Sequence, residues 1–183
     1  MVSKKSSAVR AADLLRPNDP DHMDALMFLT VEAELLDAGD LLGWLDLLAP
    51  ELSYLVPVQP TRLRGETAAG PERSFHRNED RASIEFRLKR ILESDSAWAY
   101  NPSSRNRRFV SNLRVRRGEG SDLQVSSYLL LMRSRSDREA FEFITAERSD
   151  LVGRDEDGSL ELRSRKITVD QARLGMSSLP FPL

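Results

Sequence analysis

Apolar residues recur at helical spacing through Leu26, Leu29, Ala33 and Leu36, behind a polar lead-in at Asp19 and Pro20. The pattern predicts a helix. Asp19 supplies an N-cap acceptor, and Pro20 falls where an N–H has no partner within the helix. Gly39 follows as a left-handed C-cap. Asp40 then caps a second short helix over LLGWLDLL, which Pro50 ends, so the two helices form a hairpin. Beyond Pro50 the period drops to two. Residues 51–58, ELSYLVPV, read as a strand with Tyr54, Val56 and Val58 on one face. Pro57 demands an edge position or a bulge there. A polar loop is expected to about Asn78. EDRASIEFRLKRILES returns to the helical period, with Ile84, Leu88 and Ile91 on one face and Glu85–Lys89 as an exposed pair.

After Asn106 the pattern is that of strands. RRFVSNLRVRR alternates Phe109, Ser111, Leu113 and Val115 against Arg108, Val110, Asn112, Arg114 and Arg116. GEGS is a turn, and DLQVSSYLLLMRSR is a long strand that ends at a Ser-Asp turn. EAFEFITAERSDLV is the next strand, RDEDGS closes its hairpin, and LELRSRKITVD is the last. In that last strand Leu160 and Leu162 share one face while Ile167 and Val169 share the other. The phase change predicts a bulge near residues 164–166. Leucine, phenylalanine and methionine dominate the expected inward positions, so any internal pocket is expected to be filled. Helices first and long antiparallel strands afterwards predict an α+β domain, its curved sheet wrapped on the N-terminal helices. The architecture resembles the cone-shaped fold of nuclear transport factor, ketosteroid isomerase and scytalone dehydratase.

Charge changes this picture. From Pro17 to Thr61 there are nine acids and no lysine or arginine, so either acidic helices face a basic sheet within the fold, the reading favoured, or one charged surface meets a partner. The net charge of -2 over 183 residues makes the chain no general polyanion binder. Residues 1–17 are basic and Ser-rich without an apolar centre. They read as a mobile N-terminal arm rather than a secretory signal, with a single domain expected over 18–183. No apolar run approaches the length of a membrane span, and the zero cysteine count fits the cytoplasmic location expected. The absence of cysteine excludes disulfides, thiol catalysis, iron–sulfur ligation and thiolate zinc sites on this chain. Only His22 and His76 remain as imidazole ligands.

AWAYNPSSRNRRFVSNLRVRR, residues 97–117, carries six arginines and no acid. Nucleic acid, an anionic ligand and another protein are the competing occupants. The strand face of Arg108, Val110, Asn112, Arg114 and Arg116 carries no aromatic, which disfavours a nucleic-acid platform. A pocket enzyme would need a carboxylate or histidine inside, and Asp40, Asp46, Tyr54 and His76 are the candidates. Each also has an ordinary role: helix cap, helix surface, core packing and loop. Trp44 is expected in the core and His22 near the exposed start of the first helix. Arg114, Arg116 and Arg117 read as a solvated strand end, or as partners for a neighbour's acids.

The same stretch resembles the signature of small (β) subunits of aromatic-ring-hydroxylating dioxygenases. The matching residues are Trp98, Ala99, Pro102, Ser104, Arg105, Arg107, Arg108 and Asn112, behind the helix carrying EFRLKRILES. RKITVDQARL resembles the family's last strand, and SSLPFPL its apolar C-terminal tail. Tyr100 stands where many family members carry an acid. The resemblance implies a non-catalytic subunit that supports assembly of a large (α) oxygenase subunit, typically three copies of each, in aromatic compound degradation. It places the Rieske 2Fe–2S cluster and the mononuclear iron on the large subunit, with no cofactor or metal on this chain. On this reading Trp98, Tyr100, Arg105, Arg107 and Arg108 are interface residues. A stand-alone cone-fold isomerase, dehydratase or small-ligand binder is the alternative.

Overall fold

Helix α1 (Pro20–Ala38) starts as the sequence predicts. The Asp19 carboxylate accepts the Asp21 N–H at 3.1 Å, and Gly39, at φ 78°, closes the last turn. The computed structural model describes residues 13–58, 74–93, 104–134, 139–171 and 182–183. Residues 1–12 of the expected arm lie outside these. Its end is docked: the Leu15 N–H donates to the Val115 carbonyl at 2.9 Å, and the Leu15 side chain packs on the core. Helix α2 (Leu41–Leu45) is capped by Asp40, whose carboxylate accepts the Gly43 N–H at 2.9 Å. It is shorter than the sequence predicts, because strand β1 (Leu48–Pro57) has begun before Pro50. The proline costs no ladder bond, since pairing with the neighbouring strand is irregular between Leu48 and Ser53.

Strand β2 (Phe75–Glu79) occupies part of the expected loop and pairs antiparallel with β1. A single aromatic among polar residues gives FHRNE no period-two signal. Helix α3 (Arg81–Glu93) follows, with Asp80 accepting the Ser83 N–H at 2.8 Å and with Ile84 and Leu88 buried. Strands β3 (Arg105–Arg117), β4 (Leu123–Ser134), β5 (Glu142–Arg154) and β6 (Leu160–Val169) form an antiparallel run. The sheet order is β2-β1-β6-β5-β4-β3, with β1 and β6 parallel. The sheet curves around α1, and the architecture is the expected α+β one. Pro57 sits at a register shift in an internal strand, so it marks a bulge and not an edge.

The faces of α1 and β3 differ from the expectation, and Val58, past the register shift at Pro57, is exposed rather than sharing the buried face of Tyr54 and Val56. On α1 the buried residues are His22, Ala25, Phe28, Leu29, Glu32 and Leu36, while Leu26 is 42% exposed. Met23, Met27 and Val31 are also exposed, so the helix is apolar nearly all round and its period could not choose the buried side. His22 is therefore buried, not exposed. On β3, Asn112 takes φ 52° and two residues, Asn112 and Leu113, oppose one on β4. Asparagine tolerates this left-handed geometry, and the bulge swaps the faces. Arg108 and Val110 point inward on one side of it, Leu113 and Val115 on the other, and Phe109 points out. The β6 bulge lies at Arg163, the extra residue between Leu162 and Ser164, one position before the expected 164–166.

Candidate functional site

The interior between α1 and the sheet holds ionised groups where the sequence predicts filling by leucine, phenylalanine and methionine. Glu32 rises from α1 among Phe28, Leu29 and Leu36. Arg148 and Asp150 project from β5, and Arg165 from β6, all buried. The Arg165 guanidinium spans both acids. Its Nε and Nη2 donate to Asp150 at 2.9 and 2.8 Å, and Nη1 and Nη2 donate to Glu32 at 2.5 and 2.9 Å. Arg148 Nη1 reaches Glu32 at 3.3 Å and its Nε reaches the Ser127 hydroxyl at 3.3 Å. Trp44 Nε1 donates to Glu32 at 3.1 Å. Two guanidinium groups thus balance two carboxylates, as burial of charge requires.

The electrostatics follow from this geometry. Burial alone raises the Glu32 carboxyl, but Arg165 and Arg148 outweigh it and bring it from 4.5 down to about 2. Burial opposes the charge on Arg165 too, yet Asp150 and Glu32 hold it well above its ordinary value. Burial and the adjacent Arg165 lower Arg148. Tyr54 packs edge-on against Trp44, at 6.5 Å between ring centroids. Its hydroxyl donates to the Leu183 backbone oxygen at 2.9 Å and accepts the Leu183 N–H at 3.1 Å. Burial pushes that phenol up to about 12. The end of the chain is thereby sealed against β1.

Arg108 is part of the same interior. It donates through Nη1 to Asp37 at 2.7 Å and through Nη2 to the Pro182 carbonyl at 2.6 Å, while its backbone N–H donates to Asp37 at 3.0 Å. Its side chain is 3% exposed, so this arginine clasps α1 and the C-terminal residues rather than standing on the surface. Arg107 is 71% exposed, 3.7 Å from Asp37, and Arg105 is exposed at the start of β3. Trp98 and Tyr100 lie outside the described residues. Arg117 pairs with Asp19 and Asp21 at 3.1 and 3.0 Å, and Arg154 with Asp24 at 2.5 Å. Much of the segregated charge is therefore consumed within the chain, acidic helix against basic sheet.

The four acid–base candidates do not converge. Asp40 caps α2 at the surface, Asp46 ends it there, His76 is exposed on β2, and Tyr54 is enclosed by its bonds to Leu183. The carboxylates that do lie inside, Glu32 and Asp150, are covered by arginine donors. The signal that could have located the charges on the strands is their phase. On α1, apolar nearly all round, phase does not single out Glu32, whereas Arg148 and Asp150 keep the period-two phase of Ile144, Ala146 and Val152. Arg165 keeps that of Ile167 and Val169.

Metal chemistry needs other donors. Among the described residues no cluster of three or more His, Asp or Glu could hold an ion. With no cysteine, and with His22 buried on α1 while His76 is exposed on β2, the chain does not fit a Rieske cluster or a two-histidine iron site.

Comparison with known proteins agrees with this architecture. The ring hydroxylating beta subunit family matches residues 31–176. The chain is 32% identical over 187 residues to biphenyl 2,3-dioxygenase subunit beta of Rhodococcus jostii, with 99% of each chain covered. It is 35% identical over 164 residues to 3-phenylpropionate/cinnamic acid dioxygenase subunit beta of Photorhabdus laumondii, covering 86% of this chain and 89% of that one. A solved structure of naphthalene 1,2-dioxygenase with indole bound shares the fold at a TM-score of 0.79 and 24% identity, over 89% of this chain and 86% of that one. The sheet that curves around α1, the family match over most of the chain and the dioxygenase relatives lead to one conclusion: this chain belongs to the beta subunit family of ring-hydroxylating dioxygenases.

Proposed function

We propose that the chain is the small, non-catalytic subunit of a multicomponent dioxygenase that oxidises aromatic rings. It supports assembly of a large oxygenase subunit, in a complex of three copies of each, in the cytoplasm. The Rieske cluster and the mononuclear iron belong to that partner. They supply the oxygen and electron chemistry, and this chain's residues supply shape and rigidity. The observation that carries the reading is the filled interior. Where a cone-fold enzyme needs a free acid or base, Glu32 and Asp150 are saturated by Arg148, Arg165 and Trp44. A carboxylate held at about 2 by two arginines is a poor proton acceptor near neutral pH. Among the described residues no helix is long and apolar enough to cross a membrane, which accords with a cytoplasmic assembly. Arg105 and Arg107 are the exposed arginines at the start of β3 and face a partner from there.

The test is purification of the chain alone and with its large subunit. The lone chain should be colourless and inactive as an oxygenase, and activity should appear only in the complex. Stoichiometric iron that survives chelation in the lone chain, or a turnover of its own, would contradict the proposal.

A further inference from the structure

The outer face of β3, β4 and β5 carries side chains that a solvated sheet face does not need. Phe109 is 50% exposed, Phe143 55%, Phe141 62% and Tyr128 41%. The register makes them neighbours. Phe109 lies opposite Leu130, and Met132 lies between Arg107 and Phe143. Leu130 and Met132 are half-buried between these aromatics. A contiguous apolar patch of this kind on a sheet face marks an interaction site. The phase change at Asn112 produces it, because it turns Phe109 outward.

The two ends of the face differ in charge. At one end Arg114 donates to Glu147 at 2.9 Å and lies 4.9 Å over the Tyr128 ring, so its charge is answered, while Arg116 beyond it is half-buried. At the other, Arg105 and Arg107 share the outward phase of Phe109. Among the described residues Arg105 forms no ion pair, and Arg107 makes only the 3.7 Å approach to Asp37. The face is therefore an aromatic and aliphatic centre with a cationic border, in which Arg107 has only the distant Asp37 as a partner.

We propose that the large subunit docks on this face, through a segment that lays apolar side chains on Phe109, Met132 and Phe143 and sets carboxylates against Arg105 and Arg107. The inference rests on the small-subunit reading above. Charge complementarity selects the occupant. A second copy of this chain brings the same Arg105 and Arg107 to the contact; the acids of that face are Glu147, already engaged by Arg114, and Asp170, beside it past the end of β6. A nucleic-acid strand would find aromatics, but few free cations on a chain of net charge -2. An apolar segment carrying acids answers both parts of the patch, and arginine's planar fork suits carboxylates.

Footprinting of the wild-type chain, free and in the co-purified complex, tests the proposal together with two double variants. The variants are Phe109→Ser with Phe143→Ser, and Arg105→Glu with Arg107→Glu. Expected are protection of Phe109, Met132 and Phe143 in the complex and a loss of affinity of at least ~30-fold in each variant. The loss in the arginine variant should shrink as salt rises. All four positions are exposed or half-exposed, so thermal melts of the free variants check folding, and the wild-type footprint stands if a variant fails to fold. A wild-type chain that joins the large subunit without protection on this face, or variants that bind within about 3-fold, overturns the docking site and leaves the subunit reading intact. A wild-type chain that ignores the large subunit overturns both. Protection on self-association alone, or saturable binding of a labelled single-stranded oligonucleotide lost in the variants, assigns the face to another occupant and refutes the proposal.

Discussion

Glutamine at position 32 keeps the size of the side chain and removes one charge from the buried set. Arg148 and Arg165 would then face Asp150 alone. The fall of the Glu32 carboxyl from 4.5 to about 2 corresponds to roughly 3 kcal/mol of stability at neutral pH, at about 1.4 kcal/mol per tenfold. Breaking a buried pair strands the remaining charge, and the expected loss for Glu32→Gln is about 3–5 kcal/mol. That is a large share of the ~5–15 kcal/mol available to a typical domain. Urea unfolding followed by tryptophan fluorescence measures it, with an unchanged slope as the check that the unfolded states match. The pH dependence adds a second reading. The folded carboxyl is the more acidic, so its contribution is present above pH 4.5 and is lost as pH falls toward 2. Wild type and variant should converge over that range. Adding Arg148→Met to the variant should cost less than the two changes separately, because it removes the stranded cation. A loss below about 1 kcal/mol at neutral pH, or a gap that persists to pH 2.5, would refute the picture of a charge-balanced interior.

Other expectations follow from the same contacts. The chain has three tyrosines, and Tyr54 should resist ionisation until about pH 12. The contribution of Tyr54 to stability should be constant below pH 10 and be lost between 10 and 12, and Tyr54→Phe should remove the delayed tyrosinate absorbance; ionisation of all three near 10 in the folded chain would contradict this. Arg108→Ala releases Asp37 and the Pro182 carbonyl and should cost about 3 kcal/mol in chemical denaturation, whereas Arg114→Ala, a more exposed pair, should cost about 1 kcal/mol or less. Equal losses for the two would mean that Arg108 is no clasp. Asp40→Ala should lower stability by about 1 kcal/mol through its cap on α2, with no effect on the activity of the complex.

Local chemistry was legible in the sequence. Asp19, Gly39 and Asp40 cap where their types predict, Pro57 marks a bulge, and the phase change in the last strand located the β6 bulge to within a residue. What local pattern could not decide was which side faces inward. Helix α1 is apolar on both sides, so only packing against the sheet selects the side of His22 and Glu32. Asn112 turns β3 over at a position whose side chain is compatible with either geometry. The strand β2 has too little apolar contrast to register. The interior charges were hidden for a different reason. Charged residues in apolar phase look like interruptions until a second element supplies the opposite charge, and Glu32 meets Arg165 across 133 positions of chain. The basic stretch divides accordingly: Arg108 serves the fold, while Arg105 and Arg107 remain at the surface.

The most direct test of the structural-subunit account is the mass and composition of the complex formed when this chain is co-expressed with its large subunit. Light scattering on the purified species, with densitometry of the two bands, should give equimolar chains in a particle of three copies of each. Oxygenase activity should follow that particle and no other fraction. A chain that stays alone in solution beside a folded large subunit, while that subunit is fully assembled and active without it, would contradict the account.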